Sequence, residues 1–440
     1  MFGLALPAFA QYAGPAILSR GEAPAAMTAP TVDFAFSLSL TANYTNGLVG
    51  VSTNTSGQLV STASYGGGVT LGVSGAHTWK HTRIGVNYSG SFYDYATASY
   101  FAGISQGVGL SLSHQFSRHI LFSASESAGW YTMFPPATVS LNSAVSFDPS
   151  QSNIPTTDFY DNRTIYSSTM ASMTLQASTR LSFSVGGGYF TDLRRSSALY
   201  SATGESAMGD VEYRLSRRAT IGGSYGFSHY AYSGSIGGAN VNSATLSLSL
   251  RFSRWTEFSA FGGASHVSSF FQQTVPINPA ILAILCPANL VATCPLTAGT
   301  VINRNTLWAP DFGARFSRSF RRGVAYLSAG ESITPGNGLF LTSRAATAAA
   351  GYGYSGLRKW SLGIGVSYVT ALSLGNIQGG YGQVAGSFGM SRQLVGRLSF
   401  VASFGATQYE SNSFTAYNRL IYSASVGLGF SSKNIPVRFF

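Results

Sequence analysis

The residues that could do chemistry are few and scattered. The chain has 440 residues, 9% of them charged, with six histidines and two cysteines. The histidines are His77, His81, His114, His119, His229 and His266; of these His77 and His114 fall on the lipid-facing phase, and neither has a convincing nucleophile and orienting partner close by in sequence. No Cys/His spacing suits zinc and no acidic repeat suits calcium. Tyr65-Gly66-Gly67-Gly68 falls inside an apolar/polar alternation, where glycine gives close packing or bending rather than a phosphate cradle. No catalytic residue, metal ligand or cofactor is expected. Cys286 and Cys294 share one expected loop, and such a pair in an exported chain most simply forms a disulfide. What remains is fixed charge: Asp210, Glu212, Arg214, Arg251, Glu257, Asp311, Arg315 and Arg397 sit on one phase of alternating segments. Charge placed that way does electrostatic work, and its meaning depends on what the segments build.

Composition narrows the choice. Soluble domains carry about 25% charged residues, and this chain has 9%, against 45% hydrophobic residues and 51 glycines. Ser, Thr, Asn and Gly interrupt every apolar run, so no stretch of about 20 apolar residues could cross a bilayer as a helix. An aromatic content of 13% argues against disorder. The net charge of +11, from 26 Lys+Arg and 15 Asp+Glu, forms no basic patch with interleaved aromatics, so nucleic acid is not an expected partner. A chain suited to lipid but lacking helical spans must cross with strands.

The N-terminus reads as targeting. Ala8-Phe9-Ala10 before Gln11 resembles a signal-peptidase site, so 1–10 is expected to be a residual signal peptide with its basic region missing. Residues 11–31, with three prolines at 15, 24 and 30, are expected to be a loose periplasmic lead-in.

From Val32 the period becomes two. Phe34, Phe36, Leu38, Leu40, Ala42 and Tyr44 alternate with Ser37, Ser39, Thr41 and Asn43, so the two sets face opposite sides of a strand. Ala244, Leu246, Leu248, Leu250 and Phe252 repeat the pattern, as do Trp360, Leu362, Ile364, Val366 and Tyr368. The expected strands are 32–45, 65–80, 83–95, 107–117, 119–131, 163–178, 180–191, 204–216 and 218–230. They continue at 241–253, 255–267, 305–317, 320–331, 343–355, 359–371, 381–391, 394–408 and 419–430. That makes 18, or 16 with one hairpin fewer; 119–131, 163–178 and 320–331 are weak and rest mainly on their place in the series.

Short and long connections alternate. A Ser-Arg pair after an apolar residue recurs at short turns: Phe116-Ser117-Arg118, Leu215-Ser216-Arg217, Phe252-Ser253-Arg254, Phe316-Ser317-Arg318 and Met390-Ser391-Arg392. Aromatics such as Trp79, Phe116, Tyr213, Trp308, Trp360 and Phe430 cluster at strand ends, as rings that favour headgroups do. An interfacial histidine reaching toward headgroups accounts for His77 and His114.

The last strand, Leu420 to Phe430, resembles the C-terminal assembly signal of bacterial outer-membrane β-barrels, with Tyr422, Ala424, Val426, Leu428 and Phe430 at its alternating positions. The whole of 32–430 resembles such a barrel, all-β, antiparallel and up-and-down, with porin-like architecture. The resemblance implies a Gram-negative outer membrane, outer-membrane lipid and the barrel assembly machinery as partners, short periplasmic turns and periplasmic termini. It leaves a tail, 431–440, either periplasmic or part of the final strand. A homo-oligomer is compatible with it.

A barrel of 16–18 strands leaves an aqueous channel. Arg214, Arg251 and Arg315 each precede a short turn and are expected either to form a basic selectivity ring or to pair with Glu212, Glu257 and Asp311. Arg397 is expected to face the lumen with Asp210. The segment 268–304 lacks Asp, Glu and Lys, has Arg304 as its only charge, and contains Ala280-Ile281-Leu282-Ala283-Ile284-Leu285. It is expected to constrict the mouth or cap the outer surface. Three functions follow: passive diffusion of small polar solutes, a conduit for exopolysaccharide secretion with export partners, or a structural or adhesion barrel with a plugged lumen. A lumenal aromatic track of the sugar-specific kind cannot be traced.

Overall fold

A computed structural model describes residues 32–53, 59–96, 103–131, 163–196, 199–276, 298–336, 338, 341–374, 379–411, 418–432 and 435–437. The strands are β1 (Val32–Thr53), β2 (Leu59–Thr78), β3 (Thr82–Tyr95), β4 (Gly103–Ser117), β5 (Ile120–Tyr131) and β6 (Thr164–Gln176). Next come β7 (Leu181–Arg194), β8 (Ala202–Arg214), β9 (Ala219–Tyr232), β10 (Gly237–Ser253), β11 (Thr256–Pro276) and β12 (Ala298–Phe320). The series ends with β13 (Gly323–Thr334), β14 (Ser343–Tyr354), β15 (Trp360–Ser373), β16 (Gly380–Gln393), β17 (Leu398–Ser411) and β18 (Arg419–Ser431). Each pairs antiparallel with the next, and β18 pairs back on β1 from Leu38↔Phe430 to Tyr44↔Ala424, which closes the sheet. All 18 expected strands are present. A short β19 (Ile435–Val437) lies along the start of β1, with Asp33 opposite Pro436, so the tail returns to the sheet.

The alternation has the physical consequence read from sequence. Phe36, Leu38, Leu40, Val69, Leu71, Val108, Leu110, Leu246, Ile364 and Val366 point outward and are exposed. In water an apolar belt of this extent would drive association; in lipid it is the matched face. Closure pairs every strand edge, as hydrocarbon requires. At the short-turn rim Trp79 packs edge-on against His77 at 4.0 Å, and Phe116 against His114 at 4.7 Å. Toward the opposite rim stand Tyr44 and Tyr65, 5.1 Å apart, and Trp308, which is 72% exposed.

The recurring serine has a local cause. Ser117, Ser178, Ser216 and Ser253 each accept, on Oγ, the backbone N–H two residues on, at 3.1 Å. A hydroxyl here replaces the backbone acceptor that a tight turn cannot supply. Two of the expected turns are displaced. Ser317-Arg318 and Ser391-Arg392 lie within β12 and β16, and the chain reverses later, at 321–322 and 394–397. Their arginines serve the rim instead: Arg318 lies over the Phe320 ring at 5.1 Å and Arg392 over Trp360 at 5.0 Å. This corrects the placement of Arg397. It lies in the Leu394–Arg397 turn before β17, exposed, and not on a lumen-facing strand position. Gly396, at φ +57, lets that turn close.

The two ends of the expected loop 268–304, residues 268–276 and 298–304, are strand. β11 and β12 stay paired to Pro276↔Ala298. Residues 277–297, with Cys286, Cys294 and their expected disulfide, lie outside the described residues, as do 1–31.

Candidate functional site: the barrel lumen

The inward positions carry Ser37, Ser39, Thr41 and Asn43 on β1, Ser182 and Ser184 on β7, and Ser243, Thr245 and Ser247 on β10. Their hydroxyls bond to one another or to neighbouring backbone: Ser123 to Ser172 at 2.7 Å, Ser224 to Thr245 at 2.6 Å and Ser403 to Ser425 at 2.7 Å. Such a wall is wettable and narrow in side chain, which leaves width for solvent.

The charges expected on this wall gather on one arc, β8 to β12, and Arg83 on β3, Arg419 on β18 and the Asp192–Arg194 ion pair on β7, at 2.5 Å, also hold inward positions. Asp210, Glu212 and Arg214 alternate along β8; Arg251 is on β10, Glu257 on β11, and Asp311 and Arg315 on β12. All but Asp311 lie in the third nearest the short-turn rim. Arg251 and Glu257 are brought together: Nε is 2.9 Å and a terminal nitrogen 2.7 Å from one carboxylate oxygen. Asp210 accepts the Ser184 hydroxyl at 2.7 Å, and Asp311 accepts that of Ser265 at 3.0 Å. Among the described residues Arg214 and Arg315 make no ion pair. The expected basic ring is thus a mixed belt: one arginine is paired, two are not, and four carboxylates share the same arc.

The opposite end of the lumen is covered in part by the chain itself. The described residues of the connection from β13 to β14 reach inward to β9 and to the β7–β8 connection. Tyr232, at the end of β9, anchors it. Its hydroxyl donates to the Pro335 carbonyl at 3.0 Å, accepts the Thr342 N–H at 2.7 Å and lies 2.8 Å from the Thr342 hydroxyl. Tyr200 N–H donates to the Gly338 carbonyl at 3.0 Å. Leu341, Val267, Phe271, Ala309, Ile333, Tyr230 and Tyr232 form one buried cluster under this segment. Burying a large side chain contributes about 1.5–3 kcal/mol, so the segment is held. Sequence reasoning looked for a constriction or cap at 268–304, whose middle lies outside the described residues, and did not point to this segment. The only local signal was Pro335-Gly336, which reads as an ordinary turn.

A second aromatic pair fills the wall of β2 and β3. Tyr93 and Tyr95 point inward, buried, and lie across Gly68 and Gly66. A Cβ at Gly68 would stand 2.7 Å from the Tyr93 ring, and one at Gly66 2.8 Å from Tyr95. The glycine run is therefore a slot for two rings, which is the close packing its place in the strand suggested.

No protein-family model matches the chain, and no curated protein matches it. Among solved structures the chain is similar to Pseudomonas aeruginosa OccK9 (OpdG), at 12% identity and a TM-score of 0.43, covering 92% of this chain and 98% of that one. It is similar to the outer membrane protein opdK from Pseudomonas aeruginosa, at 13% identity and a TM-score of 0.43, covering 91% and 98%. It is also similar to Pseudomonas aeruginosa OccK2 (OpdF) in complex with glucuronate, at 10% identity and a TM-score of 0.40, covering 92% and 98%. Identities and TM-scores this low carry no solute across to this chain.

Proposed function

We propose that this chain is a passive, porin-like channel of the bacterial outer membrane that passes small polar solutes. The observation that carries the reading is the pairing of a closed 18-strand barrel with a hydroxyl-lined inner face and an apolar outer one. Barrels of this strand number hold more width than side chains fill. In this reading the short-turn rim and both termini are periplasmic. Tyr422, Ala424, Val426, Leu428 and Phe430 then serve the assembly machinery from the strand that closes the barrel on β1. The belt of Asp210, Glu212, Arg214, Arg251, Glu257 and Arg315 at the inner mouth, with Asp311 deeper in the lumen, sets ion preference.

The covered mouth favours a second reading, a gated conduit for exopolysaccharide. Single-channel conductance of the refolded protein in a planar bilayer separates the two. A steady open conductance with defined ion preference supports the diffusion channel. A closed barrel that conducts only when the Tyr232 anchor is removed supports the gated conduit. Silence in both forms overturns both and leaves a structural barrel.

A further inference from the structure

Between Asp311 and Glu410 the chain has nine Lys and Arg and a single acid, Glu331. Seven of the nine stand at the short-turn rim, on three successive turns. Arg318, Arg321 and Arg322 are at the β12–β13 turn, Arg358 and Lys359 at β14–β15, and Arg392 and Arg397 at β16–β17. Arg254, on the β10–β11 turn, makes an eighth. All eight are exposed, and the ion pairs among the described residues involve other arginines. Backbone bonds tie the four turns into one row: Ser319 N–H donates to the Trp255 carbonyl at 2.7 Å, Ser355 N–H to that of Arg322 at 2.8 Å and Gln393 N–H to that of Lys359 at 2.9 Å. Arg322 also lies across the next turn, since a Cβ at Gly356 would stand 2.6 Å from its Cδ. Like charges packed this closely repel one another unless an anion sits among them.

We propose that this row of cations is a binding surface for anionic phospholipid, of the phosphatidylglycerol class, in the leaflet at the short-turn rim. The inference rests on the transmembrane placement proposed above. Direction and depth carry it. Arg318 shares the outward phase of Phe316 and Phe320, and Arg392 stands opposite Trp360 in register, so both face the membrane and not the lumen. Three guanidiniums lie over rings of the aromatic rim: Arg254 over Trp255 at 5.0 Å, Arg318 over Phe320 at 5.1 Å and Arg392 over Trp360 at 5.0 Å. A ring under the guanidinium holds it at headgroup level and leaves its N–H edges for phosphate oxygens. A zwitterionic headgroup fits less well, because its ammonium would meet cations with no acid among them. A soluble acidic partner would approach the turn tips and leave the outward Arg318 and Arg392 unused. The long-loop end differs: there Arg194 pairs with Asp192 at 2.5 Å and Arg344 with Glu331 at 3.2 Å.

The test compares two sets of exposed arginines. The full chain is refolded into vesicles of equal phosphatidylethanolamine and phosphatidylglycerol with matched acyl chains, and the lipid retained on extraction is counted by native mass spectrometry. The wild type is expected to keep phosphatidylglycerol over phosphatidylethanolamine by about tenfold, roughly what one or two basic side chains contribute near a charged surface. The triple variant Arg254→Gln, Arg318→Gln, Arg392→Gln should bring the two lipids to near parity. A charge-matched control, Arg118→Gln, Arg180→Gln, Arg217→Gln, removes three exposed cations from turns on the other half of the same rim and should keep the preference. Equal retention of both lipids by the wild type overturns the inference and leaves the cations to a soluble acidic partner. An equal loss in the control also overturns it, because net charge and not this row would then select the lipid. Conductance of the same samples reports on the channel reading separately: a phosphatidylglycerol preference without conductance spares the inference while the channel reading fails, and conductance without the preference does the reverse.

Discussion

The Tyr232 hydroxyl and Thr342 meet twice, through the Thr342 N–H at 2.7 Å and its hydroxyl at 2.8 Å, across 110 residues of chain. With the Pro335 carbonyl as third partner, the phenol is fully satisfied in a buried place. Tyr232→Phe leaves the ring packed and strands two donors and a carbonyl. A buried group left without its partner costs about 1–3 kcal/mol. The variant is expected to remain a barrel, lose stability in that range in urea unfolding, and show larger or noisier single-channel currents as the mouth segment loosens. Unchanged currents with lowered stability would mean that this segment does not limit passage.

Arg251 and Glu257 are 63% and 47% exposed, so their ion pair stands in water and adds little stability, under about 1 kcal/mol. Its effect should fall on ions instead. Glu257→Gln leaves Arg251, Arg214 and Arg315 without a facing carboxylate on β11. The permeability ratio should move toward anions, and Arg251→Gln should move it toward cations. Both shifts should shrink in 1 M salt, where the screening length is about 3 Å. Reversal-potential measurements in asymmetric salt decide it, and identical potentials in all three proteins would remove the belt from the selectivity argument.

Gly68 and Gly386 make a matched pair of tests for the wall. Gly68→Ala places a methyl 2.7 Å from the Tyr93 ring, whereas at Gly386 nothing lies within 4 Å. Overpacking of a filled site costs about 1–3 kcal/mol. Gly68→Ala is expected to lower the unfolding midpoint accordingly, and Gly386→Ala to leave it level or raise it slightly through its effect on the unfolded chain. The double variant Gly68→Ala with Tyr93→Ala should not add the two losses, since the collision is gone.

The strands were legible because each is long and half its residues face lipid, so a strict period of two runs through Phe36–Leu40 and Ala244–Phe252. The rims were legible because aromatics sit at strand ends. The charged arc was legible residue by residue, since parity alone puts Glu212 and Arg251 inward; that Arg251 pairs while Arg214 does not depends on side-chain reach. Arg397 was misplaced because Gly396 delays the start of β17. The mouth segment was out of reach, because what holds it is a partner far away in sequence, and nothing near Pro335 announces Tyr232. The weakness of 119–131 and 163–178 has its own cause. Leu110 faces outward and is paired with Glu126, so this carboxylate lies on the lipid side, where it interrupts the apolar phase of β5. Ser167 and Thr169 interrupt that of β6 beside it.

Glu126 yields the last prediction. Its carboxylate accepts the Ser167 hydroxyl at 2.8 Å and that of Thr169, within the outer belt between the rims. A charged group facing lipid at such depth destabilises a barrel, by about 2–4 kcal/mol for Arg or Lys at the midplane and less for an acid. The two hydroxyls offset part of this, because an acceptor in hydrocarbon without donors is worse still. Opposite signs follow for the two kinds of change. Glu126→Leu should raise stability by about 1 kcal/mol in lipid vesicles, with the hydroxyls free to turn back to backbone carbonyls. Ser167→Ala should lower it by about as much, because the carboxylate stays and loses a donor. Urea titrations of the refolded proteins in vesicles measure both. A loss of stability in Glu126→Leu would mean that the acid is covered in the membrane and that the wall of β5 and β6 does not face acyl chains.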